Sequence, residues 1–180
     1  TEIYPEYKAN RDPAPAELKR QFQQCRRFTN AFGLLAWGSP RYEADDLIGT
    51  LVEHGRVVNR PSTIVSRDKD LAQLLTPVDV FWDFAGKGKS AYEQVPNVFG
   101  VRPEQIADFL ALAGDAVDNI PGVPGVGKKT AAALLDHFGS LEAIYANLER
   151  VHEVSVRGAK TLGAKLELHR GAAELARQLT

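Results

Sequence analysis

Apolar positions first fall into helical spacing across residues 16–32, where Leu18, Phe22, Cys25 and Phe28 recur every three or four places. Lys19, Arg20, Arg26 and Arg27 fill the other face. The stretch ahead of it, 4–15, is rich in Pro, Lys, Arg and Asn and reads as a surface segment. Gly33 and then Gly38-Ser39-Pro40 end this helix. A second helix is predicted over 42–54, with Gly55 as its C-terminal stop. The β-branched run Ser62-Thr63-Ile64-Val65-Ser66 predicts a short buried strand, and 68–75 a short helix. Residues 78–84 predict a further strand, followed by a Gly/Lys turn over 86–89. Alternation of helix and strand points to an α/β layer structure with a parallel sheet.

The pattern changes after Pro96. Helices are predicted over 103–113, with Pro103 near the first turn, from Lys128 onward through Thr-Ala-Ala-Ala-Leu-Leu, and over 140–148 and 158–179. The chain is therefore expected to divide into an α/β part, 1–100, and a helical part, 101–180. No repeat or low-complexity tract interrupts either.

Composition narrows the class. The 180 residues are 44% hydrophobic and 25% charged, too apolar for a disordered chain. No apolar run approaches the ~20 residues that span a bilayer, and the first thirty residues are too hydrophilic for a signal peptide. The expectation is a chain without a membrane partner. Cys25 is the lone cysteine, which fits a reducing, cytoplasmic setting. With 22 Lys plus Arg against 23 Asp plus Glu, the net charge is −1, so global charge does not announce a nucleic-acid coat protein. The chain has no Met and opens on Thr1-Glu2-Ile3. Either an N-terminal part is missing or methionines have been dropped, and every spacing here is read as unbroken.

Three clusters of carboxylates carry the first chemistry. Glu43 and Asp46 are three apart on one helical face, with Asp45 about 100° from Asp46; acids in a first helical turn also simply complement the helix dipole. Asp68 and Asp70 follow the strand at 62–66, and the carboxyl end of a strand is where open α/β sheets place ligands. A helix cap explains Asp68 alone but not Asp70. Asp115 and Asp118 are again three apart, after the helix that ends at Gly114. Converging carboxylates repel unless a cation neutralises them, and magnesium or manganese prefers oxygen donors. A pair of such ions ~3.5–4 Å apart serves phosphodiester hydrolysis. Zinc is not indicated, because His54, His137, His152 and His169 lie singly and read as surface or structural residues.

The second chemistry is Pro121-Gly122-Val123-Pro124-Gly125-Val126-Gly127-Lys128-Lys129, set between two helices. Gly122, Gly125 and Gly127 allow close backbone approach, and the next helix presents its positive end with two lysines, a construction suited to phosphates. A tight helix–loop–helix connection is the plainer alternative. A nucleotide-binding P-loop is excluded, because Lys128 is followed by Lys129 and no strand leads in. A weaker signal is Tyr7, Lys8 and Arg11, in which the cations suit a phosphate and the ring a base.

Together these phrases resemble the 5′ nuclease (flap endonuclease-like) family of bacterial 5′–3′ exonucleases and the N-terminal nuclease domain of DNA polymerase I. The matching stretches are 4–11, 42–46, 66–70, 114–127, 138–142 and 157–160, in the family's order across nearly the whole chain. The resemblance implies a PIN-like α/β nuclease core lacking its first strands, then a helical region with a helix–three-turn–helix over about 107–138. It implies that Glu43, Asp45, Asp46 and Asp68 serve one metal ion, and that Asp70, Asp115 and Asp118 serve a second. Lys8 and Arg11 match the catalytic cations at the base of the family's arch. Tyr7, Gly122, Val123, Gly125, Val126, Gly127, Lys128 and Lys129 fall to DNA binding.

The implied cofactors are two Mg²⁺ or Mn²⁺ ions, with K⁺ at the hairpin. The implied partner is DNA with 5′ ends, flaps or branches, with neither a small-molecule substrate nor an oligomer indicated. Family members carry two further metal-binding Asp on early strands that this string lacks. If the string were the whole polypeptide, cleavage is expected to be weak or absent. The alternatives are a non-catalytic DNA-binding module and, less favoured, a ribonuclease of related architecture.

Overall fold

The computed structural model describes residues 3–86 and 88–180. Contacts divide it into two compact units, one formed by residues up to Asn10 with Pro61–Thr180, the other by Arg11–Arg60.

In the smaller unit, α1 (Ala16–Ala31) follows the expected spacing yet buries no residue. Phe28 and Phe32 stack on its surface, with ring centroids 4.5 Å apart. Helix α2 (Ala44–Val57) runs through Gly55 rather than stopping there. Its end is made instead by Asn59, whose φ of +55° takes the left-handed place often given to glycine. The Gly55 carbonyl accepts from the N–H groups of Val58 and Arg60.

In the larger unit, β1 (Thr63–Val65), β2 (Val80–Asp83) and β3 (Gly88–Ala91) form one sheet in chain order. The expected parallel pair is β1–β2, with Ile64 opposite Phe81 and both buried. Strand β1 is only half-buried, since Val65 lies 51% exposed. Buried Asp79 fixes the start of the pair. Its carboxylate accepts from the Ser62 N–H (2.8 Å), the Thr76 N–H (3.0 Å) and the Thr76 hydroxyl (2.6 Å).

The turn expected over 86–89 is shorter than that, because Gly88 and Lys89 already belong to β3, which adds an antiparallel edge; Lys87 lies outside the described residues. Gly-Lys-Ser-Ala has little strand preference. What stabilises it is cross-strand, with the Lys89 ammonium 5.3 Å over the ring of its partner Trp82. The helix expected at 68–75 is a 3-10 helix, Lys69–Leu74.

Helices α3 (Pro96–Phe99), α4 (Ile106–Ala113), α5 (Lys128–Phe138), α6 (Leu141–Ala146), α7 (Ala159–Leu168) and α8 (Arg170–Leu179) follow. The single helix expected over 158–179 breaks at His169, whose N–H is shared between the carbonyls of Lys165 and Leu166. Ile106, Leu112, Leu134, Leu135, Ile144 and Leu166 are fully buried between these helices, each burial favourable by roughly 1.5–3 kcal/mol. Two polar side chains sit among them with partners. Gln105 donates to the carbonyls of Leu135 and Gly139, and accepts from the Arg102 N–H. Asp108 accepts from Arg177 Nε (2.6 Å) and from the Leu141 N–H (2.9 Å), joining α4 to α8 and to the start of α6.

Asp108→Ala leaves that N–H and the guanidinium without their acceptor, so urea unfolding is expected to show a loss of about 2–3 kcal/mol. A loss below about 0.5 kcal/mol, the scale of an ordinary surface change, would contradict this role.

Candidate metal centre and nucleic-acid interface

Sequence places Asp68 and Asp70 directly beyond β1. The Ser66 hydroxyl accepts from the Asp68 N–H (2.9 Å), and the Asp68 carboxylate accepts from the Asp70 N–H (3.1 Å), capping the 3-10 turn. Asp68 therefore does the capping work, while Asp70 is left half-buried with its carboxylate free of it.

Asp115 and Asp118 stand on a closed loop beyond α4. Asp115 and Ile120 exchange both backbone hydrogen bonds, at 2.9 and 2.8 Å, and the Asp115 carboxylate accepts from the Val117 N–H at 2.8 Å. The neck of the loop is two glycines. A Cβ on Gly114 (φ +77°) would lie 2.6 Å from the Gly122 nitrogen, and one on Gly122 would lie 2.3 Å from the Gly114 nitrogen. Backbones this close admit no side chain on either side.

The two acidic segments share one electrostatic neighbourhood. The Asp70 carboxyl is pushed up to about 6, first by burial and then by the carboxylates of Asp68, Asp115 and Asp118, with Lys128 partly offsetting them. Among the described residues no three His, Cys, Asp or Glu side chains stand close enough to hold one metal ion directly. The donors are all oxygens, and a hard cation that keeps several of its waters suits such a set.

The N-terminal segment is laid against the same loop. The Lys8 N–H donates to the Asp118 carbonyl at 2.9 Å, Asn10 Nδ2 to the Ala116 carbonyl at 3.0 Å, and Asn119 Nδ2 to the Glu6 carbonyl at 2.7 Å. Lys8 Nζ lies 3.6 Å from Asp118 Oδ2 and 4.7 Å from the centre of the Tyr7 ring, and the Tyr7 hydroxyl donates to that same oxygen at 3.4 Å. Lys8 and Tyr7 are thus placed at a carboxylate. Sequence reading missed Asn10 and Asn119. Asn119 takes a left-handed φ of +56°, a habit of asparagine in loops that could have marked it.

Arg11, Glu43, Asp45 and Asp46 belong to the other unit and are all exposed. The three acids head α2, where the Asp46 carboxylate accepts from the Glu43 N–H at 2.9 Å, a capping role that the plainer reading of an acidic first turn anticipates.

In the hairpin three assignments need correction. Gly122 serves the packing against Gly114 rather than the approach of a ligand. Val123 and Val126 are buried, and their N–H groups are consumed internally, donating to the carbonyls of Leu112 (2.8 Å) and Val123 (2.9 Å). Neither N–H can meet a phosphate. Gly125, Gly127, Lys128 and Lys129 remain exposed, and Gly127 precedes α5 as an N-cap without a side-chain hydrogen bond.

Residues 1–100 match the family described as 5′-3′ exonuclease, N-terminal resolvase-like domain, and residues 101–180 match 5′-3′ exonuclease, C-terminal SAM fold. The chain is 46% identical over 179 residues to DNA polymerase I of Pseudomonas aeruginosa, covering 99% of this chain and 20% of that protein. It is 40% identical over 178 residues to the flap endonuclease Xni of Pectobacterium carotovorum, covering 99% of this chain and 66% of that one. It thus spans a fifth of the polymerase and about two thirds of the endonuclease. Among solved structures, T5 5′-exonuclease with bound zinc superposes with a TM-score of 0.77 at 23% identity, over 99% of this chain and 68% of that one. The Rad2 catalytic core in complex with DNA substrate gives 0.56 at 18% identity, over 94% and 57%. At these identities the likeness is one of fold.

The raised Asp70 carboxyl has a sign. An unfolded Asp titrates near ~3.9, so the folded chain binds this proton more tightly. The stability Asp70 contributes is complete below the unfolded value and is lost as pH rises through about 6. In EDTA, urea unfolding between pH 4 and 7 is expected to show a shallower decline with rising pH in Asp70→Asn than in the parent. An unchanged pH slope in the variant would contradict the burial and crowding of Asp70.

Proposed function

The chain belongs to the 5′–3′ exonuclease family, matching both its N-terminal and C-terminal domains, and from that premise we propose that it forms the nuclease part of a structure-specific 5′–3′ DNA nuclease. The substrate would be DNA with 5′ ends, flaps or branches, hydrolysed at a phosphodiester. The observation that carries this reading is the single electrostatic neighbourhood of Asp68, Asp70, Asp115, Asp118 and Lys128, in which an acidic centre adjoins the exposed lysine that opens α5. The α/β part at 1–100, with Asp115 and Asp118 of the helical part, would carry the chemistry, and the rest of 101–180 the hold on duplex.

Asp70, Asp115 and Asp118, with Asp68, would hold divalent magnesium or manganese, mostly through its waters. Glu43, Asp45 and Asp46 offer a further set of oxygen donors in their own unit. Bound in pairs, such ions supply Lewis acidity and a water of lowered pKa. The residues of the chain do the rest. Lys8, resting on Asp118 at 3.6 Å, exchanges that carboxylate for the reacting phosphate as substrate enters, and Arg11 is an exposed cation of its own unit. Tyr7 keeps Lys8 in place through its ring, while its hydroxyl donates to the Asp118 carboxylate on which Lys8 rests. The first-turn N–H groups of α5 and the side chains of Lys128 and Lys129 take up successive phosphates without reading bases. The carbonyls of this turn are the place for a potassium ion. A cytoplasmic setting suits the exposed, unpaired Cys25.

One observation favours a second reading, a DNA-holding module without cleavage: no three described acids stand close enough to hold one ion directly. A labelled 5′-flap duplex separates the two. The first reading expects cleavage with Mg²⁺, none in EDTA, and a loss on the order of 10- to 100-fold in Asp115→Asn or Asp118→Asn, with flap binding retained. Flap binding without metal-dependent cleavage supports the module, and absence of binding overturns both.

A further inference from the structure

Helix α7 is fixed by two buried leucines, Leu162 and Leu166, and by Gly163, where a Cβ would lie 2.8 Å from the Leu148 carbonyl oxygen. So anchored, the helix leaves Lys165 exposed, with its ammonium beside the hairpin. A Cβ built on Gly125 would lie 3.3 Å from Lys165 Nζ. The ammonium of one helix therefore rests on the exposed turn that precedes another, forty positions earlier in the chain.

Charge around Lys165 is unusual for this surface. Elsewhere on the helical half exposed arginines are neutralised by nearby acids, as in Arg102 with Glu104, Arg150 with Glu153 and Arg170 with Glu167. Lys165 has Thr161, Leu162, Leu168 and His169 at the positions a helix brings beside it, none of them acidic. Among the described residues neither Lys165 nor Lys128 or Lys129 is ion-paired. A lysine in the last turn of a helix also complements the helix dipole, but that would hold the ammonium by the carbonyls of α7 and not against a turn contributed by another segment.

We propose that Lys165 is a third phosphate-binding cation of the hairpin, closing over the Gly125 turn from α7 while Lys128 and Lys129 approach from α5. The ligand is the phosphodiester backbone of duplex DNA, contacted without regard to sequence. This rests on the hairpin being the duplex-holding element proposed above. It adds a residue outside the hairpin, on a helix to which that reading gives no role. Gly125, at φ +84°, lets the turn and the ammonium come together with no side chain between them.

Fluorescence anisotropy of a labelled duplex with a 5′ arm, titrated with the chain over a KCl series, tests this. Each phosphate contact contributes about −0.9 to the slope of log affinity against log salt. Lys165→Gln is expected to weaken binding several-fold at low salt and to reduce the magnitude of that slope by about one, with an unchanged thermal midpoint, and Lys165→Arg to restore both. If Lys128→Gln and Lys129→Gln weaken binding while Lys165→Gln leaves affinity and slope untouched, the proposal is overturned and the hairpin reading survives. If none of the three changes binding, the hairpin reading fails and this inference with it. Weakening accompanied by a lowered midpoint, unrescued by Arg, also overturns it by assigning Lys165 a packing role.

Discussion

Two backbones approach between Gly114 and Gly122 where no side chain fits, and the rest of the larger unit's functional surface follows from that contact. It closes the neck between α4 and α5, so that residues 115–120 leave on one side as a loop carrying two carboxylates. Residues 123–127 continue on the other side as the turn that starts α5. The Val123 N–H donating to the Leu112 carbonyl and the exchanged bonds between Asp115 and Ile120 lock the arrangement. A methyl group at either glycine would meet backbone atoms at under 3 Å, and backbone cannot swing aside as the end of a flexible side chain can. Acid loop and glycine turn are thus held in fixed relation by one local constraint.

That constraint holds an arrangement electrostatics opposes. Burial first, and then three carboxylates, Asp68, Asp115 and Asp118, raise the Asp70 carboxyl, against the pull of Lys128. The unfavourable field is tolerated because the fold's stability lies elsewhere, in the leucine and isoleucine core between α4 and α8 and in the satisfied pair of Asp108 with Arg177. A site that is costly without its ligand and stable through distant packing is the usual economy of a functional surface. The same logic covers the N-terminal segment. Asn10 and Asn119 bind it to the loop by backbone-directed hydrogen bonds, leaving Lys8 and Tyr7 to face Asp118.

Much of this was legible in the sequence. Asp68 and Asp70 were placed by the strand they follow and Asp115 with Asp118 by the helix they end, since element ends are where period and punctuation are clearest. The parts that were not legible depend on partners remote in the chain. Glycine announces a permissive backbone but not what approaches it, so Gly122 read as ligand-facing when its neighbour is Gly114. Valines in a glycine-rich turn do not show that their N–H groups are already spent on Leu112 and Val123. Strand β3 has no strand-like composition and exists because Trp82 and its neighbours offer an edge. Helix α2 passes Gly55 because Asn59 supplies the left-handed stop, and the break at His169 has no breaker residue to announce it.

As proposed above, Asp68, Asp70, Asp115 and Asp118 would compose one cation-accepting centre. Substoichiometric Mn²⁺ added to isotopically labelled chain tests it through paramagnetic broadening of backbone amide signals. The amides of residues 68–70 and 115–118 are expected to broaden together, at the same manganese concentration, and ahead of other exposed acidic stretches such as Glu149 and Glu153. Broadening of one segment without the other, or spread evenly over all surface acids, would contradict it.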